Sequence, residues 1–165
     1  MRSVAKIRED LREQRNALQR LRAKVPGFGG YCEREERREA DKLLRDFGAS
    51  RLERVARDLQ ESIAKASLEE IGEYNDLVQG VEKLRNELRF ADRGYSGFFA
   101  EAKLDSDAAL DALYAADEKI VAQVEEIAAQ MADADVAVGS LRGSVKRLSL
   151  ALADRRNAIL GLGTR

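Results

Sequence analysis

The sequence predicts an all-α fold: an elongated antiparallel bundle of four or five long helices with coiled-coil-like packing, forming one domain over residues 1–165. Three observations carry that expectation. Apolar residues recur at spacings of three and four along almost the whole chain, and no segment sustains the period-two alternation of a strand. There is one proline in 165 residues, where about 5% is ordinary. Charged residues make up 36% of the chain against an ordinary ~25%, which suits long solvated helix faces around a core that this length can support.

The elements follow in order. Val4, Ile7, Leu11, Leu18, Leu21 and Val25 form the first seam, interrupted only at Gln14, and Pro26-Gly27-Phe28-Gly29-Gly30 stops that helix. A second helix starts near Glu33 and runs toward Ala66, with Leu44, Phe47, Leu52, Val55, Leu59 and Ile63 on its buried side. Gly48 followed by Ser50-Arg51-Leu52-Glu53 is a capping-box pattern, so a break there and a continuous helix are both open. Ser67-Leu68-Glu69-Glu70 starts the third helix, whose seam is Tyr74, Leu77, Val81, Leu84, Leu88 and Ala91. Arg93-Gly94-Tyr95-Ser96-Gly97 ends it, and 98–103 allows one short turn. The fourth helix starts near Ser106 and carries Leu110, Leu113, Ile120, Val124, Ile127 and Met131, while alanines 115, 122 and 129 lie opposite. A helix small or apolar on most sides is either central in the bundle or half of an oligomer interface. The fifth helix carries Val138, Leu141, Val145, Leu148, Leu152, Ile159 and Leu162.

Composition excludes much chemistry. There is no histidine, hence no imidazole base and no imidazole metal ligand. Cys32 is the one cysteine, so neither an internal disulfide nor a multi-cysteine zinc site can form, and it reads as a spectator thiol. Gly27, Gly29 and Gly30 follow no strand, and Tyr31-Cys32-Glu33 stands where a phosphate loop needs lysine and a hydroxyl. The expectation is a non-enzymatic protein without a cofactor or a metal site. An absent signal peptide and the lack of any ~18-residue apolar run point to the cytoplasm, with peripheral membrane contact open.

Charge is segregated. Residues 1–24 carry a net +5, 25–60 balance, 61–135 carry −11 and 136–165 carry +5. Internal pairing between basic terminal helices and acidic middle ones explains this, and a basic face for an acidic partner is the alternative. The heptad rows Arg8/Arg15/Arg22 and Asp111/Glu118/Glu125 would then pair between antiparallel helices one and four, as Arg22–Asp111, Arg15–Glu118 and Arg8–Glu125.

Two glycine-aromatic loops hold Phe28, Tyr31, Tyr95, Phe98 and Phe99. By up-down parity they meet at one end, either as a small core closing the bundle or as a partner-binding patch. The stretch from Pro26 to Tyr31 and the following Glu33–Arg45 resemble an uncharacterised family of prokaryotic helical proteins. That resemblance implies helical structure and a cytosolic setting and transfers no site. The functional expectation is a scaffold or adaptor that binds a protein partner, or itself, through helix faces or the aromatic-loop end. Its rival is binding of nucleic acid or an anionic membrane surface through Arg8, Arg15, Arg22, Arg142, Lys146 and Arg147.

Overall fold

The computed structural model describes residues 4–90, 104 and 106–160. It is all-α, with five helices: α1 (Val4–Lys24), α2 (Arg37–Ile63), α3 (Leu68–Phe90), α4 (Asp107–Ala132) and α5 (Val138–Leu160). A single 3₁₀ turn, Arg34–Glu36, precedes α2, and no strand occurs among the described residues.

The predicted helix starts are used where a side chain can serve the first turn. At the start of α3, Glu70 accepts from the backbone N–H and the hydroxyl of Ser67, at 3.0 and 2.9 Å. At the start of α4, the Ser106 Oγ accepts from the Ala109 N–H at 3.2 Å. The capping pattern after Gly48 is not used, and α2 passes straight through it. Leu44, Leu52, Val55 and Leu59 are buried on both sides of that glycine, so tertiary packing overrides the local break signal. Gly48 is instead a point of close approach: a Cβ there would lie 2.9 Å from Leu88 Cδ1 on α3.

Antiparallel pairing holds within two hairpins, α2–α3 and α4–α5. Between the hairpins the neighbours run parallel. Asp41 and Asp117 share Arg155, and ten residues further along α2, Arg51 meets Glu125 at 3.4 Å. On the other side Gly80 faces Val145, and Glu87 and Phe90 share a groove with Arg156. Both hairpin turns therefore lie at one end. Around them Ala49, Leu52, Leu59, Leu77, Val81, Leu84, Ile120, Val124, Ile127, Leu141 and Leu148 form the larger of two apolar clusters.

The smaller cluster lies toward the other end and depends on α1. Ala17, Leu21 and Val25 pack there with Phe28, Tyr31, Leu44, Leu104, Leu113, Tyr114, Val121 and Ile159. Here the structure departs from the expected parity. Residues 13–20 of α1 share a groove with 111–118 of α4, and Arg20 pairs with Glu118. The two helices run parallel, not antiparallel. The reason is the connection after α1. Gly27 and Gly30 take φ values of +79° and +97°, closed to most other residues, and let residues 25–33 fold back as a strap instead of a tight turn. A Cβ at Gly30 would lie 2.7 Å from the Tyr114 hydroxyl oxygen, so the strap could not sit this close with any larger residue.

α4 packs against α1, α2 and α5, which makes it the central helix of the bundle, and its alanines 115, 122 and 129 are left exposed. Replacing Gly48 by valine is expected to push Leu88 out of its place and cost about 1–3 kcal/mol by overpacking. Urea unfolding of Gly48→Val beside the wild type measures it, and an unchanged midpoint would contradict the close approach.

Candidate functional site

The most unusual chemistry in the molecule is buried between its two apolar clusters. Asp117 on α4 is fully enclosed, at 0% exposure. Arg155 on α5 donates from Nε to Asp117 Oδ1 at 2.6 Å and from Nη2 to Asp41 Oδ1 on α2 at 2.8 Å. Arg45, one turn beyond Asp41, donates from Nε to Asp41 Oδ2 at 2.8 Å. Its Nη1 reaches the Leu88 carbonyl at 3.0 Å, neutralising the carbonyl end of α3. Tyr31 on the strap donates its hydroxyl to Asp117 Oδ2 at 2.6 Å and accepts from Arg155 Nη2 at 3.2 Å.

Two guanidinium groups and two carboxylates thus make a neutral buried cluster, with a phenol as its fifth member. The strap is fixed at its backbone as well. The Tyr31 N–H donates to the Tyr114 hydroxyl at 2.9 Å, and buried Arg37 donates to the carbonyls of Tyr31 and Leu104 at 2.8 and 3.2 Å. Gln130 Oε1 is the buried side-chain polar atom left without a partner among the described residues, and it belongs to the turn end of α4.

The electrostatics follow from enclosure. Burial lifts the Asp117 carboxyl above its ordinary range, against the opposing pull of Arg155 and the Tyr31 hydroxyl. Burial works against charge on Arg155, but Asp117, Tyr31 and Asp41 outweigh it and hold the guanidinium charged. Burial raises the Tyr31 phenol well above its usual value, with the Asp117 charge adding to the effect. Tyr114 is pushed up to about 12 by burial, opposed by its bond from the Tyr31 N–H and reinforced by Cys32.

Such a cluster does structural work. Every charge in it is matched and hydrogen-bonded, and it joins α2, α4, α5 and the strap, so it selects one arrangement of these elements. Among the described residues no group of three or more His, Cys, Asp or Glu is placed to hold a metal ion.

The predicted site residues divide. Phe28 and Tyr31 are buried at 3% and 0% exposure and stack edge to face, with ring centroids 5.5 Å apart. Tyr31 also lies 5.5 Å from the Tyr114 ring. These two are core, not a surface patch, because the strap folds inward onto α4. Tyr95, Phe98 and Phe99 lie outside the described residues, and with them the expected meeting of the two aromatic loops. Cys32 is exposed, its Sγ 3.7 Å from the Tyr114 hydroxyl.

The six cations proposed for anion binding do not form one face. Arg22 donates to the Gly29 carbonyl at 2.9 Å, and Arg147 pairs with Glu126 at 2.8 Å. Arg8 and Arg15 are exposed near the start of α4, while Arg142 and Lys146 are exposed toward the turn end. At about 1.5 Å per residue, roughly 20 Å of bundle separates the two sets.

The expected rungs between α1 and α4 are replaced as well. The acidic row of α4 is used, but Glu118 takes Arg20 and Glu125 takes Arg51, since the parallel direction changes the register. Arg37, in the charged first turn of α2, turns inward.

Sequence reasoning missed Asp41, Arg45, Asp117 and Arg155, although a signal was present. Asp117 stands at a seam position between Leu113 and Ile120, and Arg155 stands between Leu152 and Ile159. Asp41 and Arg37 continue the seam of α2 upstream of Leu44. A charge at a core position of a heptad is the mark of a buried pair.

No protein-family model, curated protein or solved structure matches the chain.

Two measurements check the cluster. Arg155→Met removes the shared cation, strands the buried Asp117 carboxylate and leaves Asp41 with Arg45 alone, with an expected loss of about 3–5 kcal/mol in urea unfolding. A loss under about 1 kcal/mol would mean the charges are not enclosed.

The second measurement uses pH. Unfolded phenols ionise near pH 10, whereas Tyr31 and Tyr114 hold their protons longer when folded. Above about pH 10 the folded state therefore binds more protons, and stability falls as pH rises toward about 12. The slope approaches ~1.4 kcal/mol per pH unit for each phenol. Tyr31→Phe and Tyr114→Phe should each flatten it.

Proposed function

We propose that the protein is a non-enzymatic helical scaffold of the cytoplasm that binds a protein partner through the N-terminal half of α1. One observation carries this reading. The first seam is used over only half its length: Leu21 and Val25 are buried against the bundle, whereas Val4, Ile7 and Leu11 are 67%, 42% and 38% exposed. These three continue the same three-and-four spacing, and isolated helices of this length are marginal without a packed face.

The wholly enclosed and balanced ion cluster supports the non-enzymatic part, because none of its groups is presented to a substrate. No helix among the described residues is long and apolar enough to cross a membrane. Binding of nucleic acid or an anionic membrane is the weaker reading, since the exposed cations fall into two separated sets.

A photo-reactive benzoylphenylalanine replacing Ile7, expressed in the native cell, is expected to give one discrete protein adduct. The same group replacing exposed Glu73 on α3 should give none. Absence of an adduct at position 7 would remove α1 as the contact. Ile7→Ser with Leu11→Ser should leave the melting temperature within about 2 °C of wild type, because both side chains already face water.

A further inference from the structure

The cations beside the exposed seam indicate the chemistry of what covers it. Resting on the reading above, we infer that the partner of α1 is an acidic amphipathic helix of another protein, lying along residues 4–15 with its carboxylates against Arg8 and Arg15.

The seam itself selects a helix. Val4, Ile7 and Leu11 make a narrow apolar strip at coiled-coil spacing, which takes the apolar stripe of a second helix. No strand exists among the described residues to offer an edge to an extended peptide.

The rim of the seam selects the charge. Arg8 and Arg15 stand seven residues apart on one side of the strip, both exposed, and neither forms an ion pair or side-chain hydrogen bond among the described residues. Arg12 stands further round the helix in the same condition. Further along the same helix Arg20 is engaged by Glu118 and Arg22 by the Gly29 carbonyl. Arg8 and Arg15 flank the apolar strip that the bundle leaves open, and a row of Glu or Asp on a partner helix complements both at once.

Other occupants fit less well. A second copy laid antiparallel sets the Arg8/Arg15 row against itself, and like charges at such flanking positions oppose pairing. A lipid surface would meet only three apolar side chains, no aromatic residue in α1, and the acids Glu9 and Glu13 in the same half of the helix.

The test uses the full chain and two synthetic helical peptides of three heptads, both with Leu and Ile at the core positions. One carries Glu at the flanking positions and the other Lys. Fluorescence anisotropy of the labelled peptides is expected to show binding of the Glu peptide, weakening with salt, and little binding of the Lys peptide. Ile7→Ser with Leu11→Ser should weaken binding by at least about tenfold. Arg8→Glu with Arg15→Glu should reverse the preference. Circular dichroism should show both double variants folded, as expected for exposed positions.

Equal binding of the two peptides, or of neither, would overturn the inference. So would a dimer in sedimentation that Ile7→Ser abolishes, which would make the occupant a second copy. Preferential binding of phosphatidylserine vesicles would replace the helix with a membrane. If neither peptide binds while the photo-adduct at position 7 forms, the acidic-helix inference falls and the scaffold reading stands. If the adduct is also missing, both fall.

Discussion

Arg155 is the point at which the molecule is tied together. Its guanidinium reaches Asp117 on α4, Asp41 on α2 and the Tyr31 hydroxyl on the strap, so one side chain from α5 binds three other parts of the chain. Moving charges out of water is costly, and that cost is recovered only in a geometry that matches every partner. The parallel alignment of α2 with α4 and the inward fold of the strap both satisfy this constraint. Arg45 extends it to α3 by holding the last carbonyls of that helix. An apolar core tolerates small slides of one helix along another, whereas a buried ion cluster with bonds of 2.6–2.8 Å does not.

The fold class, five of the helix segments and the caps at Ser67 and Ser106 were legible in the sequence, because each rests on local patterns of spacing and side-chain chemistry. The path after α1 was not. Pro26 and three glycines mark a chain reversal, but the same residues suit a tight turn and a returning strap. The difference is decided by Tyr31 finding Asp117, 86 positions away along the chain, and by Gly30 fitting under Tyr114. From that one ambiguity came the inverted direction of α1 and the wrong partners for Glu118 and Glu125. Gly48 shows the converse: its local signal for a helix end is real, and Leu88 packed across it supplies another reason for a glycine.

The charge segregation along the chain also gains a concrete meaning. The acidic row on α4 is not answered by one basic helix. Glu118 takes Arg20 from α1 and Glu125 takes Arg51 from α2, while Glu126 beside the row takes Arg147 from α5, each at the side of α4 where that neighbour lies. These exposed pairs contribute little stability singly. Their value is in labelling which neighbour belongs on which side of the central helix. Arg8 and Arg15 of α1 stand outside this arrangement.

Arg155 and Tyr31 are 124 positions apart, and Arg155 and Asp41 are 114 apart. The two helical hairpins can form from neighbours in the chain, whereas the cluster must wait for its ends to meet, at a closure cost that rises with the logarithm of the loop. During synthesis from the N-terminus, Asp41 and Asp117 emerge well before the cation that joins them. Until α5 arrives, no guanidinium donates to the Tyr31 hydroxyl on the strap. α5 is thus the helix that commits the rest, and a nascent chain stopped short of residue 155 holds Asp117 with a site prepared but no guanidinium to fill it, while Asp41 already has Arg45.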